Sequence, residues 1–196
     1  MQIQGELTKA TVTAKQRFNE AVYFFEGMQA NRGNVTTFPY QLSAFLNAFR
    51  STALYLQTQY AHETWFRTWY APKQAEMAAD PVLKMLNDKR VDSFHRYPVD
   101  LFFKQGFRFP ERFGGCITTS HLEVETEQRD DGLVITRIKV GADGAEEEVV
   151  TEISWYFTED DPDDLAKHCW VGLNRIRAII GEIDALRTSM GLPPDE

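Results

Sequence analysis

Cysteine is almost missing from this chain: 196 residues contain two, Cys116 and Cys169, far apart in sequence. They read as free thiols and fit a reducing compartment, because disulfide frameworks belong to short, cysteine-dense secreted chains. Zinc is disfavoured too. Cys116 with His121, and His168 with Cys169, offer sulfur and nitrogen donors, but the last two are adjacent and point to different helix faces, and the paired cysteine spacing of structural zinc sites is absent. The run from His62 to Phe66 starts like a zinc-protease helix, yet Phe66 stands where the second histidine ligand belongs. The acidic run from Thr158 to Asp164 lacks the spacing of a calcium loop. Neither a metal nor a cofactor is expected.

Long apolar runs are lacking as well. No stretch approaches the roughly 18 uninterrupted apolar residues of a membrane span, and the N-terminal segment has no apolar signal-peptide core. The expectation is a soluble, cytoplasmic protein with no membrane partner. Cationic residues are outnumbered, 21 Lys and Arg against 29 Asp and Glu, for a formal net charge of -8. That balance disfavours coating nucleic acid through bulk electrostatics and leaves room for a local basic site. Phosphate-binding glycine loops and the nucleophile elbow are missing, since the patterns GxGxxG, GxxxxGK and GxSxG all fail.

What is present suffices for a full core. With 43% hydrophobic, 13% aromatic and 26% charged residues, the chain reads as a single domain over 1–196 that folds without disulfides or metal. From Thr13 to about Ala30, Phe18, Ala21, Val22, Phe25 and Met28 recur at spacings of three and four, which predicts an amphipathic helix ended by turn residues Asn31 to Asn34. A second helix is expected from near Pro39, with Leu42, Phe45, Leu46, Phe49, Ala53 and Leu56 on a broad stripe. Further on, Trp65, Phe66 and Trp69 crowd a short span, and Pro72 is expected to mark a break or turn.

Asp80 and Pro81 then form a helix start, a capping acceptor followed by a residue suited to the first helical position. Val82, Leu83, Met85 and Leu86 make the apolar side of this helix, and Pro98 limits it. The next stretch, Phe102 to Phe113, interleaves phenylalanines with Lys104, Arg108 and Arg112, and Gly106 and Pro110 make it read as irregular. Such alternation can hold single-stranded nucleic acid by stacking and phosphate contact, or the rings can seal one end of the core.

Beyond it the period becomes two. Leu122 and Val124, then Val134, Ile138 and Val140, then Val149, Ile153, Trp155 and Phe157 would line one face of a three-stranded antiparallel meander, with turns at 130–132 and 141–144. Glu123, Glu125, Glu127, Glu148 and Glu152 would flank Arg137 and Lys139 on the other face and set the pairing. The acidic run around Pro162 opens a last helix, whose stripe of Cys169, Gly172, Ile176, Ile179, Ile183, Leu186 and Met190 would close the bundle or form a dimer seam. The fold expected is mainly α, a bundle of four to five helices (13–98 plus 162–190) with an inserted meander at about 117–158.

One pair remains as a candidate for chemistry. Arg90 and His95, four residues apart near the end of the Asp80 helix, resemble the RxxxxH motif of the HEPN superfamily. The resemblance covers the helical frame, Thr13 to Pro98 plus the last helix, with the sheet as an insertion. It implies a homodimer with the motif at its interface, and in many members a metal-independent endoribonuclease. Arg90 would then neutralise the scissile phosphate, and His95 would transfer protons or stabilise the phosphate as the RNA 2′-hydroxyl attacks, giving a 2′,3′-cyclic phosphate. Lys104, Arg108 and Arg112 are the expected RNA contacts. The position after the arginine, usually polar in the family's nucleases, is Val91, so the alternative is a non-catalytic interaction module that uses the same bundle, with the sheet or the Phe102 to Phe113 stretch as its contact surface for a protein partner. In that case Arg90 would pair with Asp88, Asp92 or Glu76, and His95 would close a helix end. Five residues along a regular helix span about 140° of rotation and about 7.5 Å. The two side chains therefore meet only through a helix end or distortion near Phe94, a long reach by Arg90, or a second copy. A small-molecule pocket between the helices would need convergent polar groups, and the sequence names none.

Overall fold

Thr13 starts the first helix by a reciprocal cap: its hydroxyl accepts from the Gln16 amide at 3.2 Å, and the Gln16 side chain accepts from the Thr13 amide at 2.9 Å. Helix α1, Ala14–Ala30, buries Phe18, Ala21, Phe25 and Met28 as the spacing predicts. Asn34 accepts the amides of Thr36 and Thr37 and so launches α2, Thr37–Tyr60, whose Pro39 sits in the first turn where no amide is missed. The computed structural model describes residues 12–95, 100–108, 122–130, 134–140 and 145–193. Among them are three further helices, α3 (Thr64–Ala79), α4 (Pro81–His95) and α5 (Leu165–Ser189), and strands β1 (Phe102–Arg108), β2 (Leu122–Gln128), β3 (Val134–Val140) and β4 (Ala145–Tyr156).

Helices α1, α2, α4 and α5 contact one another in a closed ring, each touching the next, and α3 lies outside against α4. Their shared core includes Phe45, Leu46, Met28, Leu86, Leu173 and Ile183, all essentially inaccessible. Full burial of each such side chain favours folding by roughly 1.5–3 kcal/mol. Gly172 lets α5 approach closely: a Cβ there would meet Leu86 Cδ1 at 2.5 Å and Phe49 Cζ at 3.2 Å.

Pro72 behaves differently from expectation. It lies within α3 rather than at a break. Its ring removes one amide, the donor for the Thr68 carbonyl, but both residues are exposed, so water can replace that bond. The helix buries just Phe66 and Tyr70 among its described residues, which suits its outer position.

The fold is mainly helical with an inserted antiparallel sheet, of strand order β1-β4-β3-β2. The meander β2-β3-β4 has the expected faces: Leu122 opposes Val140 and Val124 opposes Ile138, on the same face as Ile153 and Trp155. On the other face Arg137 stands between Glu125 and Glu148, and Lys139 between Glu123 and Glu146. Glu152 is not part of that pattern, because it opposes Gly106. That pairing belongs to a fourth strand, β1, in the stretch expected to be irregular. Gly106 does not interrupt it, since the long β4 pairs its first half with β3 and offers its second half, Val150 to Tyr156, to β1.

The sheet docks through a polar node and a ring stack. Phe38 of α2 lies face to face with Trp155 of β4, centroids 4.4 Å apart and planes 5° from parallel. Trp155 Nε1 donates to the Arg32 carbonyl at 2.9 Å, and Arg32 Nε donates to the Ile153 carbonyl at 2.9 Å. Asp164, the N-cap of α5, accepts the Ala166 amide with one oxygen, and the Trp155 amide and Arg32 guanidinium with the other. Thus the α1–α2 turn, the sheet and the start of α5 share one carboxylate.

Candidate functional site

Asp80 sets the register of α4. Its Oδ1 accepts the amides of Val82 and Leu83 at 2.9 and 3.1 Å, and its Oδ2 pairs with Arg175 Nε of α5 at 3.2 Å. Leu83 and Leu86 are buried in the ring of helices, and Arg90 follows one turn after Leu86 at a half-buried position. Arg90 Nε lies 3.4 Å from Asn47 Oδ1 on α2, a long hydrogen bond. Asn47 is itself held, for its Nδ2 donates to the Ser43 carbonyl at 3.0 Å, which turns the amide oxygen towards Arg90. An amide is thus among the groups that position Arg90. In the sequence Asn47 carries one signal, a polar side chain between Leu46 and Ala48 in an otherwise apolar and small run.

Beside Arg90, Val91 is 39% exposed. On the sheet-facing flank, Lys89 Nζ stands 5.3 Å from the centre of the Phe157 ring, linking α4 to the residue after β4. The helix runs without interruption to His95, its last residue, whose side chain lies outside the described residues together with the expected limit at Pro98. Because α4 stays helical through Phe94, no distortion before His95 brings the pair together. A long reach by Arg90 or a second copy of α4 is left to do so.

Of the expected RNA contacts, Lys104 and Arg108 lie on one strand, β1. Lys104 is exposed on β1 with Nζ 4.5 Å from the Tyr156 ring centre, and Phe103 beside it is 48% exposed while leaning on Trp155 at 5.4 Å. Arg108 ends β1 opposite Val150, and Arg112 lies outside the described residues. β1 forms one edge of the sheet, and a lysine on an edge strand discourages pairing with another chain.

Cys116 and His121 also lie outside the described residues. Cys169 is wholly buried, and burial first, with the Asp164 carboxylate second, holds its thiol well above the usual range. His168 Nε2 instead meets both Asp161 oxygens at 3.0 and 3.1 Å. Among the described residues no three potential ligands gather where a metal ion could bind, and no helix is long and apolar enough to cross a membrane. Comparison with family models, with curated proteins and with solved structures finds no match.

Proposed function

We propose that this chain is a HEPN-like protein that binds and cleaves RNA as a homodimer, with Arg90 and His95 as its reacting pair. The observation that carries the reading is the placement of α4: Arg90 stands on a continuous helix within a four-helix ring, steadied by Asn47, and His95 closes the same helix. Arg90 neutralises charge on the phosphate, to which its planar fork is suited. His95 accepts the 2′-hydroxyl proton as that oxygen attacks phosphorus, the bond from phosphorus to the 5′-oxygen breaks, and a proton is returned to the leaving oxygen. Products are a 2′,3′-cyclic phosphate and a 5′-hydroxyl, with no redox step. Lys104, Arg108 and Arg112 add phosphate contacts and Phe103 a stacking surface, in a chain whose net charge of -8 confines attraction to such local groups.

The test is cleavage of a labelled single-stranded RNA in excess chelator by the wild type, His95→Ala and Arg90→Ala, with folding matched by circular dichroism. The expected result is loss of about a hundredfold or more in each variant. Equal cleavage by His95→Ala removes the histidine from the mechanism. A second reading, a non-catalytic interaction module, draws on Val91, an exposed apolar side chain where a polar one would assist chemistry. It predicts no cleavage by the wild type, and binding of a protein partner through the sheet or the Phe102 to Phe113 stretch.

A further inference from the structure

A partly open cavity of about 420 Å³ lies between α2, α3, α4 and α5, away from the Arg32 node and from β1. Its size falls in the range of small-molecule sites, and so does its character, a largely apolar lining with a few polar groups. The apolar lining includes Phe49, Ala53, Leu83, Leu86 and Ile176, all buried in the core.

Two of the polar groups in its lining, Tyr70 and Arg50, are hydrogen-bond donors. Gln57 Nε2 donates to the Tyr70 hydroxyl at 3.1 Å, so that oxygen is used as an acceptor and its own proton is directed elsewhere. Burial holds the Tyr70 phenol above its ordinary range, against smaller opposing effects of the Gln57 bond and the Arg50 charge, so it remains a donor at neutral pH. Arg50, on the same face of α2, is half-buried and forms no hydrogen bond or ion pair with any described side chain. Lys84 also lines the cavity, and Asp88 is its lone carboxylate among the described residues, so among these cations outnumber anions two to one in a chain of net charge -8. Neither Lys84 nor Asp88 is ion-paired among the described residues. A guanidinium without a hydrogen-bond or ion-pair partner among the described residues, lining one cavity with a phenol donor and apolar side chains, is complementary to an anionic head on an apolar body.

We infer that this cavity binds a small amphipathic anion, its carboxylate or phosphate oxygens held by Arg50 and the Tyr70 hydroxyl and its hydrocarbon portion on Phe49, Ala53, Leu86 and Ile176. The site is independent of the RNA reading, although five of its lining residues belong to α4, the helix that carries Arg90 and His95. A nucleotide fits less well, because its base would lay polar edges against apolar side chains without partners for them.

Calorimetric titration of the full chain tests this with four probes: octanoate, octyl phosphate, octanol and adenosine monophosphate. Octanoate or octyl phosphate should bind at one saturable site about tenfold or more tighter than octanol, as a charge-assisted contact requires. In Arg50→Gln that advantage should vanish while octanol binding stays as it was; a stronger response to the carboxylate than to the phosphate, or the reverse, identifies the head group. Ala53→Phe, which fills the cavity, should abolish all binding with the fold retained by circular dichroism. The inference is overturned if neither anion saturates, if octanol binds as tightly as both, if Arg50→Gln leaves anion affinity unchanged, or if adenosine monophosphate binds most tightly.

Discussion

Asp164 illustrates how much one carboxylate can hold. It caps α5 through Ala166, takes the Trp155 amide of β4 and pairs with Arg32 of the α1–α2 turn. Replacing it with alanine removes the cap, leaves the part-buried Trp155 amide without this acceptor and takes the carboxylate partner from a guanidinium that is two-thirds covered. Cap loss costs about 1 kcal/mol and an unsatisfied buried donor about 1–3 kcal/mol. Asp164→Ala should therefore lower stability by about 2–4 kcal/mol in urea unfolding, and Asp164→Asn, which keeps the cap but not the charge, by less. Tyr70 gives a pH-dependent counterpart. Its folded-state pKa is raised above the ordinary 10.0, burial being the main cause. Below the unfolded value both states hold the proton and the neutral phenol's contribution is complete. As pH rises above it the unfolded chain ionises first, and stability is lost until the folded phenol ionises as well. Urea unfolding at about pH 9 and about pH 11 should show a steeper alkaline loss in the wild type than in Tyr70→Phe, with the unfolded phenol near 10 setting the lower edge. Parallel losses in the two proteins would remove Tyr70 from the alkaline transition.

The contact between α4 and α5 depends on an atom that is missing. Gly172 has no Cβ, and Leu86 Cδ1 occupies the space where one would stand. Alanine gains up to about 1 kcal/mol of helix propensity, but overpacking a filled contact costs about 1–3 kcal/mol. Gly172→Ala should come out destabilising, and in the Leu86→Ala background the same change should be neutral or stabilising. A double-mutant cycle that showed simple additivity would mean the two residues do not share the space. The glycine was visible in the sequence as one position of the α5 stripe, though its reason lies in another helix. The same division runs through the fold. Thr13, Asp80 with Pro81, and the Phe18 to Met28 spacing are local signals, and they located α1 and α4 because caps and periodicity are written within a few residues. β1 was hidden because its partner, Val150 to Tyr156, lies more than forty residues away and Gly106 reads locally as a breaker. Pro72 misled for a related reason: local propensity disfavours it in a helix, and only the exposure of Thr68 makes the lost bond tolerable. In the candidate site the Arg90 to His95 spacing was legible, whereas Asn47, 43 residues from Arg90, and the Arg50 cavity arise from packing between helices and leave no spacing to read.

The geometry of α4 also bears on how two whole molecules would work together. Arg90 and His95 lie on one uninterrupted helix, about 140° apart around its axis, so a homodimer reading places the arginine of one protomer with the histidine of its partner. In that arrangement an Arg90→Ala protomer joined to a His95→Ala protomer contains one site with both lesions and one with neither. Each single variant should be inactive alone. Mixing them in equal amounts and letting subunits exchange should restore roughly a quarter of wild-type RNA cleavage, since about half the dimers are mixed and each mixed dimer has one intact site. A site assembled within one protomer by a long reach of Arg90 carries a lesion in every copy, and the mixture would then stay inactive. Mixing below the dimer dissociation range, followed by light scattering to verify exchange, separates failure to exchange from failure to complement. Restored activity would fix the role of α4 as a shared element of two chains, and its absence after verified exchange would assign Arg90 and His95 to the same chain or to no common site.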